Sequence, residues 1–240
     1  MTRVILVLAL VALVESAWAS VLDDAEQCAS TSGDLRIHFC TRAIQSDELS
    51  DIDLAGAFYN RGIAYSELSE YDSAIRDFDQ AIRLKPDYTD AFVYRGNAYS
   101  DRGEYDRAIR EFDQAIRFDP EYAFAFYNRG SAYYYKSDFD RAIRDYDQAI
   151  QLNPTEPTFF NNRGIAYHTM GDLDGAIRDY DRAIKLDPTI PDYFNIRGIA
   201  YHTKGDYDRA IQDYDQAIRL DPGNAVAIQN RAMTLEAQNQ

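Results

Sequence analysis

A segment of 34 residues recurs five times without insertion or deletion, and this period constrains the fold more than any other feature. Counted from Ala55 as position 1, the copies span residues 55–88, 89–122, 123–156, 157–190 and 191–224. A unit this short cannot bury its own apolar face, so consecutive units must stack on one another. The sequence therefore predicts an array of stacked units in place of the one or two globular domains that chain length alone suggests.

Constant residue types within each copy indicate two helices. Positions 4, 8 and 11 are Phe, Gly and Tyr in every copy, and positions 20, 24 and 27 are Ala, an aromatic residue and Ala. Since residues three or four apart lie on the same side of a helix, each trio marks a stripe on one helix. Small Gly and Ala allow the two helices to approach closely, and the proline at position 32 ends the second helix. Each copy is therefore predicted to be a helical hairpin.

These residues at these positions closely resemble the pattern of the tetratricopeptide repeat (TPR) family, and the resemblance covers residues 55–224. It implies an all-α fold, a right-handed solenoid of stacked helix-turn-helix hairpins. One position departs from the family pattern: position 7, commonly Leu, is Arg in all five copies and again at Arg231, and position 25 is always Asp. We expect the arginines to bury their stems and to bond Asp or backbone oxygens between helices, with ligand contact as the alternative.

The first nineteen residues have the pattern of a cleaved signal peptide. Arg3 precedes an apolar run from Val4 to Val14, and Ala17-Trp18-Ala19 places small residues at the two positions that a signal peptidase reads. We predict cleavage after Ala19 and a periplasmic or secreted protein, with no membrane span after cleavage. An uncleaved anchor is the alternative, although the apolar run is well short of the roughly 20 residues that a spanning helix needs.

Residues 20–54 are predicted to form a degenerate helical hairpin at the N-terminal end of the array. Arg42-Ala43-Ile44 echoes Gln80-Ala81-Ile82 of the first repeat. Cys28 and Cys40 lie on either side of the turn-like Ser30-Thr31-Ser32-Gly33, so two antiparallel helices would bring them together. In an oxidising compartment we expect a structural disulfide. A redox or metal-binding pair is the alternative, and the missing CxxC spacing disfavours it.

Residues 225–240 are predicted to form a C-terminal capping helix. They continue the first-helix pattern through Ile228, Arg231 and Leu235. The polar residues that follow suit the exposed end of a repeat array.

Charge and motif content narrow the function. The chain has 40 acidic and 25 basic side chains and a net charge of −15, so nucleic acid, which is bound mainly by Lys and Arg, is not an expected partner. No phosphate-binding Gly loop, HExxH or GxSxG motif is present, and we expect no enzymatic activity, cofactor or metal. The expected function is an envelope scaffold that binds a protein or peptide, with basic partners favoured. A self-associating structural protein that forms homo-oligomers through its ends or groove is the alternative.

The family resemblance implies that positions 2, 5, 6, 9, 12 and 13 of the first helices line a concave groove. Position 6 is Asn in four of six first helices. Because a carboxamide both donates and accepts hydrogen bonds, a row of Asn can hold the backbone of an extended peptide, and this row resembles the asparagine ladder of some peptide-binding members. Ordinary polar surface is the alternative. The predicted peptide-binding residues are Asn60, Asn128, Asn162, Asn230, Tyr59, Tyr127, Tyr134, Asn161, Asn195, His168 and His202.

Two further features fall on the same positions. Phe124, Tyr127, Tyr134 and Tyr135 form an aromatic patch in the third repeat, of the kind that anchors interfaces, with packing between repeats as the alternative. His168 and His202 both occupy position 12, so the two rings could stack along the groove and titrate together or share a metal. Plain surface or packing is the alternative. No Lys lies at a predicted groove position, which disfavours binding of a free C-terminal carboxylate.

Overall fold

The computed structural model describes residues 23–46 and 48–239, in which every regular element is an α-helix. The predicted signal peptide, residues 1–19, lies outside the described residues. The helices are α1 (23–30), α2 (Gly33–Gln45), α3 (Asp51–Glu67), α4 (Tyr71–Leu84), α5 (Thr89–Asp101), α6 (Tyr105–Phe118), α7 (Ala123–Tyr135), α8 (Phe139–Leu152), α9 (Pro157–Thr169), α10 (Leu173–Leu186), α11 (Pro191–Thr203), α12 (Tyr207–Leu220) and α13 (Ala225–Gln238). None of these helices is long and apolar enough to cross a membrane.

The helices form two compact units, one that ends at Pro120 and contains α1–α6, and one that begins at Glu121 and contains α7–α13. In the first unit α3 packs on α4 and α5 packs on α6. In the second unit α7, α9 and α11 pack on α8, α10 and α12, respectively, and α13 packs on α12. The predicted all-α fold of helical hairpins is confirmed.

Each hairpin closes around the glycine at position 8. A Cβ atom added to Gly164 would lie 2.7 Å from the Tyr180 ring, and one added to Gly62 would lie 2.7 Å from the Phe78 ring. Both rings are fully buried. Because a carbon atom cannot approach a ring so closely, the first helix needs glycine where the aromatic side chain of the second helix crosses it. The predicted close approach of the two helices is confirmed.

The turn within each hairpin requires a left-handed residue at position 15. Gly103, Gly171 and Gly205 hold this position with φ between 76° and 86°, while Ser69 and Ser137 adopt φ of 61° and 62°. Glycine enters this region without steric cost, which explains its use in three of the five turns.

The arginine at position 7 links three helices. Arg163 donates two hydrogen bonds to the carboxylate of Asp179 in its own hairpin, at 2.8 and 2.7 Å, and a third, at 2.5 Å, to Asp147 of the preceding hairpin. Arg197 repeats this pattern with Asp213 and Asp181. The arginines are mostly buried. The expected bonding between helices is therefore found, and the acid that accepts two bonds from each arginine is the one at position 23, a partner that the repeat pattern did not predict.

The N-terminal hairpin, α1 and α2, brings the two cysteines to disulfide distance, as predicted. The Sγ atoms of Cys28 and Cys40 are 2.09 Å apart, and both side chains are buried. They pack with Ala57 of α3. Asp24 and Arg42 form an ion pair of 3.1 Å across the same hairpin. Two cross-links therefore hold a unit that lacks the aromatic and glycine pattern of the repeats.

Candidate functional site

The first helices of the second unit, α7, α9, α11 and α13, carry most of the predicted binding residues, and we call the surface formed by their positions 2, 5, 6, 9, 12 and 13 the first-helix face. Its polar residues bond from one helix to the next. The Nδ2 atom of Asn162 donates to Tyr127 Oη at 2.8 Å, and Nδ2 of Asn230 donates to Asn195 Oδ1 at 3.0 Å. In both pairs, position 6 of one repeat bonds to position 5 of the repeat before it.

The first unit repeats this relation with aromatic rings. Tyr59 at position 5 meets Tyr94 at position 6 of the next repeat edge to face, with ring centroids 5.5 Å apart. Tyr59 also contacts the rings of Phe78 and Tyr88. The structure thus places Tyr59, a predicted binding residue, in an aromatic packing cluster.

The predicted asparagine row has two kinds of member. The carboxamides of Asn162 and Asn230 hold neighbouring helices together through the bonds above. Those of Asn60 and Asn128 are partly exposed and form no side-chain hydrogen bond within the described residues. In these two carboxamides, both the donor and the acceptor are available for a bound peptide. The sequence could not separate the two kinds, because each bonding partner lies 35 residues away.

Two buried polar atoms of α9 have no hydrogen-bond partner within the part of the chain that the structure describes. Asn161 donates to Asn162 Oδ1 at 3.1 Å, but its own Oδ1 atom is buried and accepts no hydrogen bond. The next repeat has Ile196 at position 6, and isoleucine cannot donate. The Nε2 atom of His168 is likewise buried without a partner, and burial lowers the pKa of this imidazole.

The two predicted histidines have different surroundings. His202 Nδ1 lies 2.8 Å from the hydroxyl of Thr234, which is fully buried, and its ring contacts Tyr207 at 5.3 Å. Position 10 of the repeat that follows His168 is Ala200, which offers no hydroxyl. Within the described residues, no group of three or more His, Cys, Asp or Glu side chains is arranged to hold a metal ion.

Helix α7 carries the predicted aromatic patch. Tyr127 stacks on Phe159 of α9, with ring centroids 5.0 Å apart, and burial raises the pKa of its phenol. Phe124 meets the same Phe159 ring edge to face at 5.2 Å, yet 41% of its surface stays exposed. Tyr134 bonds to Thr169 of α9 at 3.2 Å. The patch therefore combines packing between helices with exposed aromatic surface.

Comparison with known families agrees with this geometry. Two family models described as "Tetratricopeptide repeat" match residues 55–88 and 162–225, and one described as "TPR repeat" matches residues 96–136 and 130–171. The chain belongs to the tetratricopeptide repeat family. No curated protein matches this TPR chain by sequence.

Solved structures share the TPR fold. MamA protein is 26% identical, with a TM-score of 0.61, and the match covers 71% of this chain and 93% of that one. YrrB, described as a TPR protein with an unusual peptide-binding site, is 24% identical over 80% of this chain and 97% of its own, with a TM-score of 0.61. Pseudomonas aeruginosa pilF is 19% identical over 79% of this chain and 86% of its own, with a TM-score of 0.71. The last two likenesses show the fold alone.

Proposed function

We propose that this chain is a non-enzymatic scaffold of the cell envelope, which binds an extended peptide or a partner segment along the first-helix face at α7 and α9. TPR membership supports a role in protein interaction. YrrB, a protein of the same fold, has a peptide-binding site, and the proposal for this chain rests on its own side chains.

The observation that carries the proposal is the exposed aromatic surface of α7. Phe124 is 41% exposed and Tyr135 is 65% exposed. They lie eleven residues apart on one helix, which corresponds to about 16 Å along the helix axis. Asn128, with its unbonded carboxamide, lies between them. Exposed aromatic rings with polar groups between them are typical anchors of protein interfaces, and a carboxamide can hold a peptide backbone.

Export is the second part of the proposal. The predicted signal peptide directs the chain out of the cytoplasm, and the Cys28–Cys40 pair at disulfide distance suits an oxidising compartment. The net charge of −15 favours a partner with basic residues.

Capture from an envelope extract tests the proposal. The bait is the chain from residue 20 to residue 240, compared with the double variant Phe124→Ala/Tyr135→Ala. Phe118→Ala is the matched control. Phe118 is also an exposed aromatic residue, at 45%, but it lies on α6, the second helix of its hairpin, and not on α7. We expect a partner that the parent and the control retain and that the double variant loses while its circular dichroism spectrum stays unchanged. Equal capture by all three proteins would refute binding at α7.

Self-association is the second candidate, and exposed apolar residues on α13 favour it. Val226, Ile228 and Met233 are each about half exposed, at 58%, 47% and 49%. Sedimentation over a range of concentrations tests this candidate. If the chain self-associates through α13, the molar mass of the parent rises with concentration, while Ile228→Asp keeps the mass of a single chain.

A further inference from the structure

Within each unit, position 14 of a first helix lies near the aspartate at position 18 of the repeat before it. In the first unit, Arg102 forms an ion pair with Asp72. In the second unit, Lys204 forms the same pair with Asp174, and its ammonium group lowers the pKa of that carboxyl. In both pairs, a side-chain nitrogen of the next repeat therefore bonds to the carboxylate at position 18.

The last such junction has a neutral donor. Gln238 Nε2 donates to Asp208 Oδ1 at 2.6 Å. A lysine in the adjoining turn, Lys204, lines the same recess. The adjoining lysine therefore does not prevent a neutral side chain from reaching the aspartate.

The junction between the third and fourth repeats lacks this donor. Position 14 of the fourth repeat is Met170, whose thioether cannot donate a hydrogen bond. Asp140, at position 18 of the third repeat, is exposed and forms no hydrogen bond or ion pair within the described part of the chain. A recess of about 270 Å³ opens there, which we call the Asp140 recess. It is lined by Lys136, Ser137, Asp138, Phe139, Asp140 and Met170.

Met170 and Phe139 form the apolar part of the Asp140 recess, and its other lining residues are polar or charged. Met170 is 50% exposed. The Tyr134 ring packs on Phe139, with centroids 5.4 Å apart, and on Tyr135, at 5.7 Å. The other carboxylate of the recess is already engaged, because Asp138 accepts a hydrogen bond from Arg141 Nε at 2.6 Å. The recess therefore offers one available carboxylate beside two apolar side chains, Met170 and Phe139.

We propose that the Asp140 recess receives a lysine or arginine side chain of a bound partner. The aliphatic stem would lie on Met170 and Phe139, and the cation would pair with the Asp140 carboxylate, as Arg102 pairs with Asp72. The net charge of −15 favours such a partner. The proposal deepens the proposed function, on which it rests, since Tyr135 belongs both to the α7 surface and to the surroundings of the recess.

Methionine methyl signals test the recess without any knowledge of the partner. In the chain from residue 20 to residue 240, only Met170 and Met233 carry a methionine methyl group. The protein labelled with ¹³C at these methyl groups is titrated with N-acetyl-arginine amide and, as the uncharged control, N-acetyl-citrulline amide. We expect arginine to shift the Met170 signal in a saturable way and citrulline to shift it less, while Met233 stays unmoved. Asp140→Asn should weaken arginine binding about threefold, the size expected of an exposed ion pair.

Four results of the titration would overturn the proposal. The first three are a Met170 signal that does not respond to arginine, equal responses to arginine and citrulline, and an unchanged response in Asp140→Asn. Met233 moving together with Met170 would show non-specific binding and would count equally against it.

Met170→Arg separates this proposal from the scaffold function. The new arginine would pair with Asp140 as Arg102 pairs with Asp72, so it would occupy the Asp140 recess and should weaken capture of the partner. If Phe124→Ala/Tyr135→Ala loses the partner while Met170→Arg keeps it in full, the scaffold function holds and the Asp140 recess is not a partner site. If arginine shifts the Met170 signal as expected while Phe124→Ala/Tyr135→Ala still captures the partner, the Asp140 recess binds a cation and the proposal of binding at α7 is wrong.

Discussion

The contact between α11 and α13 and the contact between α9 and α11 share one architecture but differ in how their polar groups are paired. Asn195 on α11 accepts a hydrogen bond from Asn230 on α13. Asn161 is the equivalent residue on α9, and its Oδ1 atom is buried without a donor because Ile196 stands where Asn230 would be. The residues that define the repeat are the same on α9 and α11, whereas α13 has Ile228, Ala232 and Leu235 at positions 4, 8 and 11. The buried carboxamides lie at the variable positions 5 and 6, and their pairing depends on both positions, taken together across two repeats.

The histidines follow the same division. His202 bonds to Thr234, whereas Ala200 occupies the position of that threonine in the repeat after His168. A buried polar atom without a partner lowers the free energy of unfolding. We therefore expect the contact between α9 and α11 to be the less stable of the two.

Breaking the amide pair should have the largest effect. Asn230→Ala leaves the oxygen of Asn195, which is 7% exposed, without its donor. We expect the free energy of unfolding to fall by about 1–3 kcal/mol in urea titrations followed by circular dichroism. Gln229→Ala, an exposed neighbour on the same helix, is the control and should change little. A loss of stability no larger than that of the control would show that the hydrogen bond between Asn230 and Asn195 does not stabilise this contact.

Removing the threonine hydroxyl should have a smaller effect. Thr234→Val keeps the shape of a fully buried side chain but deletes the partner of His202. The expected loss is about 1 kcal/mol, the net value of one buried hydrogen bond. Thr203→Val on α11, where the threonine is exposed, serves as control. Faster hydrogen exchange confined to α11 and α13 would place the effect at this contact, and unchanged exchange there would contradict it.

The pH dependence of stability should show the smallest effect. Burial lowers the pKa of His168 in the folded chain below its ordinary value of 6.5. As pH falls through 6.5, the unfolded chain therefore binds more protons at this site than the folded chain does, and the free energy of unfolding decreases. Between about pH 7.5 and about pH 5.5, this decrease should be smaller in His168→Gln than in the parent. Parallel profiles for the two proteins would show that His168 plays no part.

Much of the fold could be predicted from the sequence because the 34-residue period repeats the same side-chain contacts. Glycine at position 8 and the aromatic residue at position 24 follow helical spacing within one hairpin, where sequence and contact are closely related. The acid at position 23 was missed because Glu111 breaks the identity of an otherwise constant Asp. A search for acidic residues, rather than for Asp alone, would have found this partner of the position-7 arginine.

The candidate site could be predicted only in part. Position alone placed Tyr127 and Asn162 on the first-helix face, but their mutual hydrogen bond depends on the register of two helices 35 residues apart. The Asp140 recess arises from a break in the position-14 series at Met170, a signal that is visible in the sequence once Arg102 and Asp72 are known to meet. Pairings between repeats had to come from the structure.

The most direct test of the central claim places one substitution at two equivalent positions. Asn195→Leu removes an amide that accepts the hydrogen bond of Asn230, so the free energy of unfolding should fall by about 1–3 kcal/mol. Asn161→Leu removes a buried oxygen that has no donor and places an apolar side chain near Ile196, so stability should stay equal or rise by up to about 1 kcal/mol. Equal losses in the two variants would contradict the claim that pairing across positions 5 and 6 distinguishes the two contacts.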